Sequence, residues 1–155
     1  MRIEAKLQDM GIELPVMPAP TNQIVDCRQV GSVVYLSGHG PLRPDGSWIC
    51  GRVGADLSLA EAQAAARLTA INLLGTLKVQ AGDLDRVRQI VKVLFLVNAA
   101  PGFTDPPEVA DGCSGLLVEV FGEAGYHARS AFGVASLWGG IAVEAEMIVE
   151  LEASR

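Results

Sequence analysis

The run from Leu59 to Ala81 constrains this chain more than any other segment. Ser58 and Glu61 form an S-x-x-E capping box, in which each side chain satisfies a backbone donor at a helix start. Ala, Leu and Ile then follow nearly all round the helical wheel as far as Gly82, a residue type that readily ends helices. A helix with so few charges has no broad face to leave in water. Whatever fold the chain adopts must cover this helix on most sides.

The other elements are shorter. Ile3, Leu7 and Met10 fall at helical spacing and predict a short amphipathic helix that stops at Gly11. Pro15, Pro18 and Pro20 enforce an extended connector after it. Residues 1–22 thus read as a helix and connector ahead of a domain at 23–155. Two β-rich runs, Ile24-Val25 and Val33-Val34-Tyr35-Leu36, flank Gly31-Ser32, which reads as a hairpin turn. Val87 to Val97 reads as a strand too apolar to leave one face wet. Asp105-Pro106-Pro107-Glu108 starts a second helix that runs to Phe121. Two strands, Ala128 to Leu137 and Ile141 to Leu151, close the chain. In the last, Ile141, Val143, Ala145, Met147, Val149 and Leu151 share one face, and Glu144, Glu146 and Glu150 share the other.

The order ββ-α-β-α-ββ, with each helix a crossover, predicts an α+β domain: a single sheet with two helices packed on one face. The opposite sheet face then needs a cover of its own. Composition points the same way, since half the residues are hydrophobic and 19% charged, against roughly 25% in average proteins. No run approaches the ~20 uninterrupted apolar residues of a membrane span, so the surplus apolar surface is expected to meet another subunit and not a membrane. The net charge of −6, with Lys and Arg scattered singly, argues against a nucleic-acid partner, because an acidic surface repels phosphates. Met1 to Lys6 lacks the apolar stretch of a signal peptide, and Cys27, Cys50 and Cys113 are odd in number and widely spaced. Both features suit reduced thiols and a cytoplasmic location.

The chemistry is concentrated near the C-terminus. Arg129, in His127-Ala128-Arg129-Ser130-Ala131, opens an apolar strand, and the next strand carries the alternating carboxylates. A guanidinium offers a planar bidentate fork, which suits a small carboxylate ligand. The competing reading is a structural ion pair from Arg129 to Glu144 or Glu146. His39 and His127 are the only histidines, without His-x-His, H-E-x-x-H or Cys-x-x-Cys spacing, so no metal site is expected. Gly38-His39-Gly40 lacks the third glycine and helix start of a dinucleotide site.

The same residues resemble the signature of the Rid family, the YjgF-like reactive-intermediate or imine deaminases, some of which are called endoribonuclease L-PSP. The family pattern runs Ala-Arg-Ser-x-x-x-Val-Ala-x-Leu, then a strand ending Val/Ile-Glu-x-Glu. Here it is Ala128-Arg129-Ser130-Ala131-Phe132-Gly133-Val134-Ala135-Ser136-Leu137, followed by Val143-Glu144-Ala145-Glu146. Tyr35-Leu36-Ser37-Gly38-His39-Gly40-Pro41-Leu42 is similar to the family's first block, and Ala62 to Leu77 with Gly82 to Val87 to its middle. The additional N-terminal residues resemble a longer branch of the family.

This resemblance implies a chorismate-mutase-like fold and a homotrimer whose sheets form a central barrel, with clefts between subunits. It implies hydrolytic deamination of reactive 2-imino or enamine acids to 2-keto acids and ammonium, without a cofactor. Arg129 would clamp the substrate carboxylate, Glu144 would handle water and protons, and Ser37 and Ala131 would line the cleft. Four positions depart from the pattern. The cleft tyrosine of many members falls at Ile24, many members have cysteine at Ala131, and Trp138 stands where proline is common. An asparagine on the second helix is replaced around Asp111. Two alternatives remain open: a non-catalytic carboxylate-binding or stress-response module, and the endoribonuclease or translation-inhibitor activity attached to some relatives.

Overall fold

The computed structural model describes residues 2–20 and 23–153. Its elements are α1 (Arg2–Asp9), β1 (Cys27–Val30), β2 (Val33–His39), α2 (Leu59–Ala81), β3 (Val87–Asn98), α3 (Pro106–Phe121), β4 (Ala128–Val134) and β5 (Val143–Leu151). The five strands form one mixed sheet in the order β1-β2-β5-β3-β4. All neighbours are antiparallel except β3 and β4, which α3 joins as a parallel crossover. The fold is α+β with both long helices on one face of the sheet, as the element order predicts.

The period-two pattern of β5 decides which face that is. Val143, Ala145, Met147, Val149 and Leu151 are buried against the helices, with Val93, Phe95 and Val97 of β3 beside them. Leu73, Leu74 and Leu77 of α2 and Leu116, Leu117 and Val120 of α3 complete the same core. Helix α2 has the expected capping box, with the Ser58 and Glu61 side chains bonded to each other's backbone N–H. Its apolar wheel is explained by cover on three sides: the sheet, α3 and the N-terminal connector. The connector comes so close that a Cβ at Gly75 would overlap the Pro15 carbonyl.

Helix α1, eight residues long, is too short to be stable alone. The Asp85 carboxylate accepts from the Arg2 and Ile3 N–H groups at 2.9 Å, and Leu7 is buried in the common core. Burying such a leucine contributes about 2 kcal/mol.

Three strand boundaries differ from the sequence reading. Strand β1 begins at Cys27, because the two-residue turn at Gly31-Ser32 pairs Cys27–Val30 with Val33–Leu36. Ile24 and Val25 therefore fall outside the ladder and are exposed. Strand β4 stops at Val134, short of Leu137. Strand β5 starts at Val143 because Ile141 leaves a tight turn, Trp138–Gly140, and bridges Cys50 instead.

The outer face of the sheet is uncovered in the single chain. Phe132, Leu96 and Glu144 form one row across β4, β3 and β5. Lys92, Ile148 and Tyr35 form another across β3, β5 and β2. Phe132 and Tyr35 are exposed, while Leu94, Leu96 and Ile148 are half-buried. Strand β3 thus has one buried face and one partly open face, where the sequence predicts two buried ones.

Candidate functional site

Glu144 lies on the outer face of β5, opposite an irregularity in β2. The register slips between Leu36 and His39, so Ser37 and Gly38 together oppose Glu146. Gly38 carries no side chain, and the Glu144 carboxylate fills that space: a Cβ at Gly38 would overlap Glu144 Oε1. Glu144 is half-buried as a result. Burial pushes its carboxyl above the usual range, and the Glu146 charge two residues along adds to the effect. A carboxyl group poised in this way can exchange protons closer to neutral pH.

The Ser37 hydroxyl donates to the Val25 carbonyl at 2.6 Å, which ties the segment before β1 to the irregularity. His39 points the other way, into the core. It hydrogen-bonds the Ser37 carbonyl through Nδ1 and the Thr76 hydroxyl through Nε2, both at 2.7 Å. Its burial lowers its pKa, so the neutral ring donates from Nδ1 and accepts from Thr76. His39 is a support for the irregular strand and not a group of the open face.

Arg129 occupies the edge strand β4. It pairs in register with the buried Val93, so it shares the helix-facing side of the sheet. Its Nη1 donates to Asp111 Oδ1 at 2.8 Å and to the Ser114 hydroxyl at 3.2 Å. Ser114 is in turn 3.0 Å from His127 Nε2, and His127 Nδ1 is 2.7 Å from the Gly125 carbonyl. Burial lowers the pKa of His127, and the nearby Arg129 charge lowers it further. Neutral His127 accepts the Ser114 proton, which leaves a Ser114 lone pair for Arg129. Among the described residues, Arg129 Nε and Nη2 make no protein hydrogen bond. The guanidinium is thus anchored by one nitrogen while its other edge stays open to a ligand.

The alternative ion pair from Arg129 to Glu144 or Glu146 does not form. Arg129 pairs with Asp111 of α3 and with neither Glu144 nor Glu146. The reason is strand order, because β5 follows β4 in sequence but β3 separates them in the sheet. Ala131 lies on the same side of β4 as Arg129, partly buried against the core. Asp111, Ser114, Gly115, Val118, Tyr126, His127 and Arg129 line an open groove of about 530 Å³.

The described residues also place Glu4, Asp83 and Asp85 with their carboxylate oxygens in mutual reach. Asp85 caps α1, and Glu4 pairs with Lys78 at 2.6 Å and accepts from the Leu84 N–H. This acidic group is committed to holding the N-terminal helix.

Residues 4–138 match the model of the family described as "YjgF/chorismate_mutase-like, putative endoribonuclease". The chain belongs to this family. It is 43% identical to Protein TCP17 of Trypanosoma cruzi, over 97% of this chain and 94% of that protein. It is similar to a crystal structure of a protein of unknown function from Agrobacterium tumefaciens, at 37% identity, 97% and 92% coverage and a TM-score of 0.88. A candidate endoribonuclease from Shewanella oneidensis is 32% identical with a TM-score of 0.92, covering 96% of this chain and 99% of its own. The YjgF gene product of Escherichia coli, at 24% identity, 87% and 93% coverage and a TM-score of 0.63, shares the fold.

Two of the positions at which the sequence departs from the family pattern, Ile24 and Trp138, lie at the surface. Ile24, at the place of the expected tyrosine, is 62% exposed on the segment leading into β1. Trp138 packs edge-to-face on Trp48, with ring centroids 5.5 Å apart. Sequence reasoning named Arg129, Glu144, Ser37 and Ala131 but did not single out Gly38 or Ser114. The spacing of Asp111 and Ser114 could have revealed their pairing, since residues three apart share one helix face. No helix among the described residues is long and apolar enough to cross a membrane.

Proposed function

We propose that this chain hydrolyses small 2-imino acids, and their enamine tautomers, to 2-keto acids and ammonium at clefts between subunits of a homotrimer. The observation that carries the reading is the open edge of Arg129, a guanidinium anchored by Nη1 and free to grip a carboxylate. Ser37 and the Ala131 main chain complete the binding wall. Neither a metal nor an organic cofactor has a part in the proposed reaction.

The reaction needs one water and one proton shuttle. Water adds to the carbon of the C=N bond, and Glu144 accepts its proton. The nitrogen of the resulting carbinolamine, an amine because the imine enters protonated, takes that proton back from Glu144; as the C–N bond breaks and the carbonyl forms, the hydroxyl proton passes to the departing ammonia, which gives the keto acid and ammonium. A carboxyl with a raised pKa suits both transfers, since it holds the proton more firmly than an ordinary carboxylate and can return it. Fixing the carboxylate on Arg129 makes attack effectively unimolecular. The exposed Phe132 and Tyr35, with Leu94, Leu96 and Ile148, offer an apolar surface for partner sheets.

The test is ammonium release from an imino acid supplied in situ by an amino-acid oxidase. Release should rise linearly with added protein, and Arg129→Ala should lower it by about 10²-fold, the scale of a lost charge-assisted bidentate contact. Carboxylate binding without turnover would favour the non-catalytic module. Cleavage of RNA by a nuclease-free preparation would favour the activity named for the Shewanella relative. The net charge of −6 argues against that outcome.

A further inference from the structure

We infer that Asp111 and Arg129 together recognise a zwitterion, so that the site selects ligands carrying a cationic nitrogen beside the carboxylate and disfavours the keto-acid product. This deepens the proposed function and rests on Arg129 as the carboxylate clamp.

Asp111 binds Arg129 through Oδ1 alone, at 2.8 Å. Its Oδ2 makes no hydrogen bond among the described residues, and the side chain is 60% exposed at the groove. The groove therefore presents a donor edge on Arg129 and a free acceptor on Asp111 side by side. In a 2-imino acid the nitrogen sits on the carbon next to the carboxylate. The protonated imine is a zwitterion of the form R–C(=NH2+)–COO−, whose two charged ends match this pair. The keto acid has the same carboxylate but replaces the N–H donors with a carbonyl oxygen. That oxygen offers Asp111 no proton, and its lone pairs face those of another acceptor.

Ser114 and His127 make the pair possible. Asp111 and Ser114 stand one turn apart on α3, and both accept from Nη1, at 2.8 and 3.2 Å, so the guanidinium is held at two points. His127 fixes the Ser114 hydroxyl. Arg129 keeps its place while Asp111 retains one oxygen for a ligand. Gly115 adds space at the groove, since a Cβ there would meet nothing within 4 Å. An acidic residue beside a clamp for anions weakens simple carboxylates, and a ligand that also brings a positive charge escapes this cost.

The experiment compares three probes by calorimetry or ligand-observed NMR on the intact protein at neutral pH: alanine, a zwitterion; propionate, the bare carboxylate; and pyruvate, the keto acid. In the wild-type protein alanine should bind about tenfold more tightly than propionate or pyruvate, the scale of one added charge-assisted contact. Asp111→Asn retains an oxygen for Arg129 but removes the charge, so the preference should collapse to about twofold or less. Pyruvate should then bind more tightly than to the wild type. Equal preferences in the wild type and Asp111→Asn would overturn the inference and leave the clamp intact. Failure of the wild type to bind any probe would overturn the clamp and the inference together. Arg129→Ala, which should bind none of the three, reports on the clamp alone.

Discussion

Arg129 and Glu144 lie on opposite faces of one sheet, with β3 between their strands. Arg129 pairs in register with the buried Val93, and Glu144 with the half-buried Leu96, three residues further along β3. An odd separation on an unbroken strand places two residues on opposite faces. One chain therefore cannot close on a small ligand with both groups, and the proposed site needs Arg129 from one subunit and Glu144 from another.

Subunit mixing tests this relationship. Arg129→Ala and Glu144→Gln should each be inactive as pure trimers. When the two are dissociated and reassembled together, about a quarter of the clefts in a cyclic trimer should combine an intact Arg129 with an intact Glu144. Recovered ammonium release should approach that fraction of wild-type activity. No recovery, with mixed trimers demonstrated by mass, would place both groups in one subunit's site or neither in it.

Glu144 and Glu146 should separate in function although they share a face. Glu144→Gln keeps shape and hydrogen bonding but cannot take a proton, so turnover should fall by about 10²-fold with pyruvate binding nearly unchanged. Glu146→Gln should retain turnover and instead move the acid limb of the rate profile to lower pH. The sign follows from the cause: after burial, the Glu146 charge is what raises the Glu144 pKa, so removing it lets Glu144 ionise at lower pH. A rate profile on both variants, beside calorimetric binding, checks the pair.

Gly38→Ala should displace the Glu144 carboxylate without unfolding the chain. The added Cβ meets the far end of a flexible side chain and not backbone. Circular dichroism should be unchanged while turnover falls about tenfold or more, because a misplaced acid-base group loses most of its advantage. Full activity in this variant would mean that Glu144 works from another rotamer.

Folding stability should decline as pH falls from neutral through about 6.5, the ordinary histidine pKa. His39 and His127 both have depressed pKa values in the fold, chiefly through burial. The unfolded chain then binds more protons than the folded one between each depressed value and 6.5. Stability is fully present above that range and is lost as pH falls through it. Thermal denaturation across pH should show this slope, and His39→Gln, which keeps a polar contact near Thr76, should make it shallower. An unchanged slope in that variant would assign the effect to other groups.

What local chemistry determined was legible in the chain. Ser58, Glu61 and Gly82 bound α2 where the sequence reading placed it, because caps act on neighbouring backbone. Period two sorted Val143 to Leu151 into a buried face and a carboxylate face, because alternation is a property of any strand. Pairing was less legible: the Gly31-Ser32 turn set the register of β1, so Ile24 and Val25 stayed outside despite their β-rich character.

The tertiary structure alone decided what stands beside Arg129. The insertion of β5 between β2 and β3 removed Glu144 and Glu146 from its reach, and packing of α3 over β4 supplied Asp111 and Ser114 instead. Strand order depends on long-range packing of the whole sheet, which no local periodicity encodes. The raised pKa of Glu144 arose in the same way. Its charge was visible in the sequence, but its burial came from the register slip that brings Gly38 beneath it. Residue type set which groups could bind and exchange protons, and the sheet order set which of them could meet.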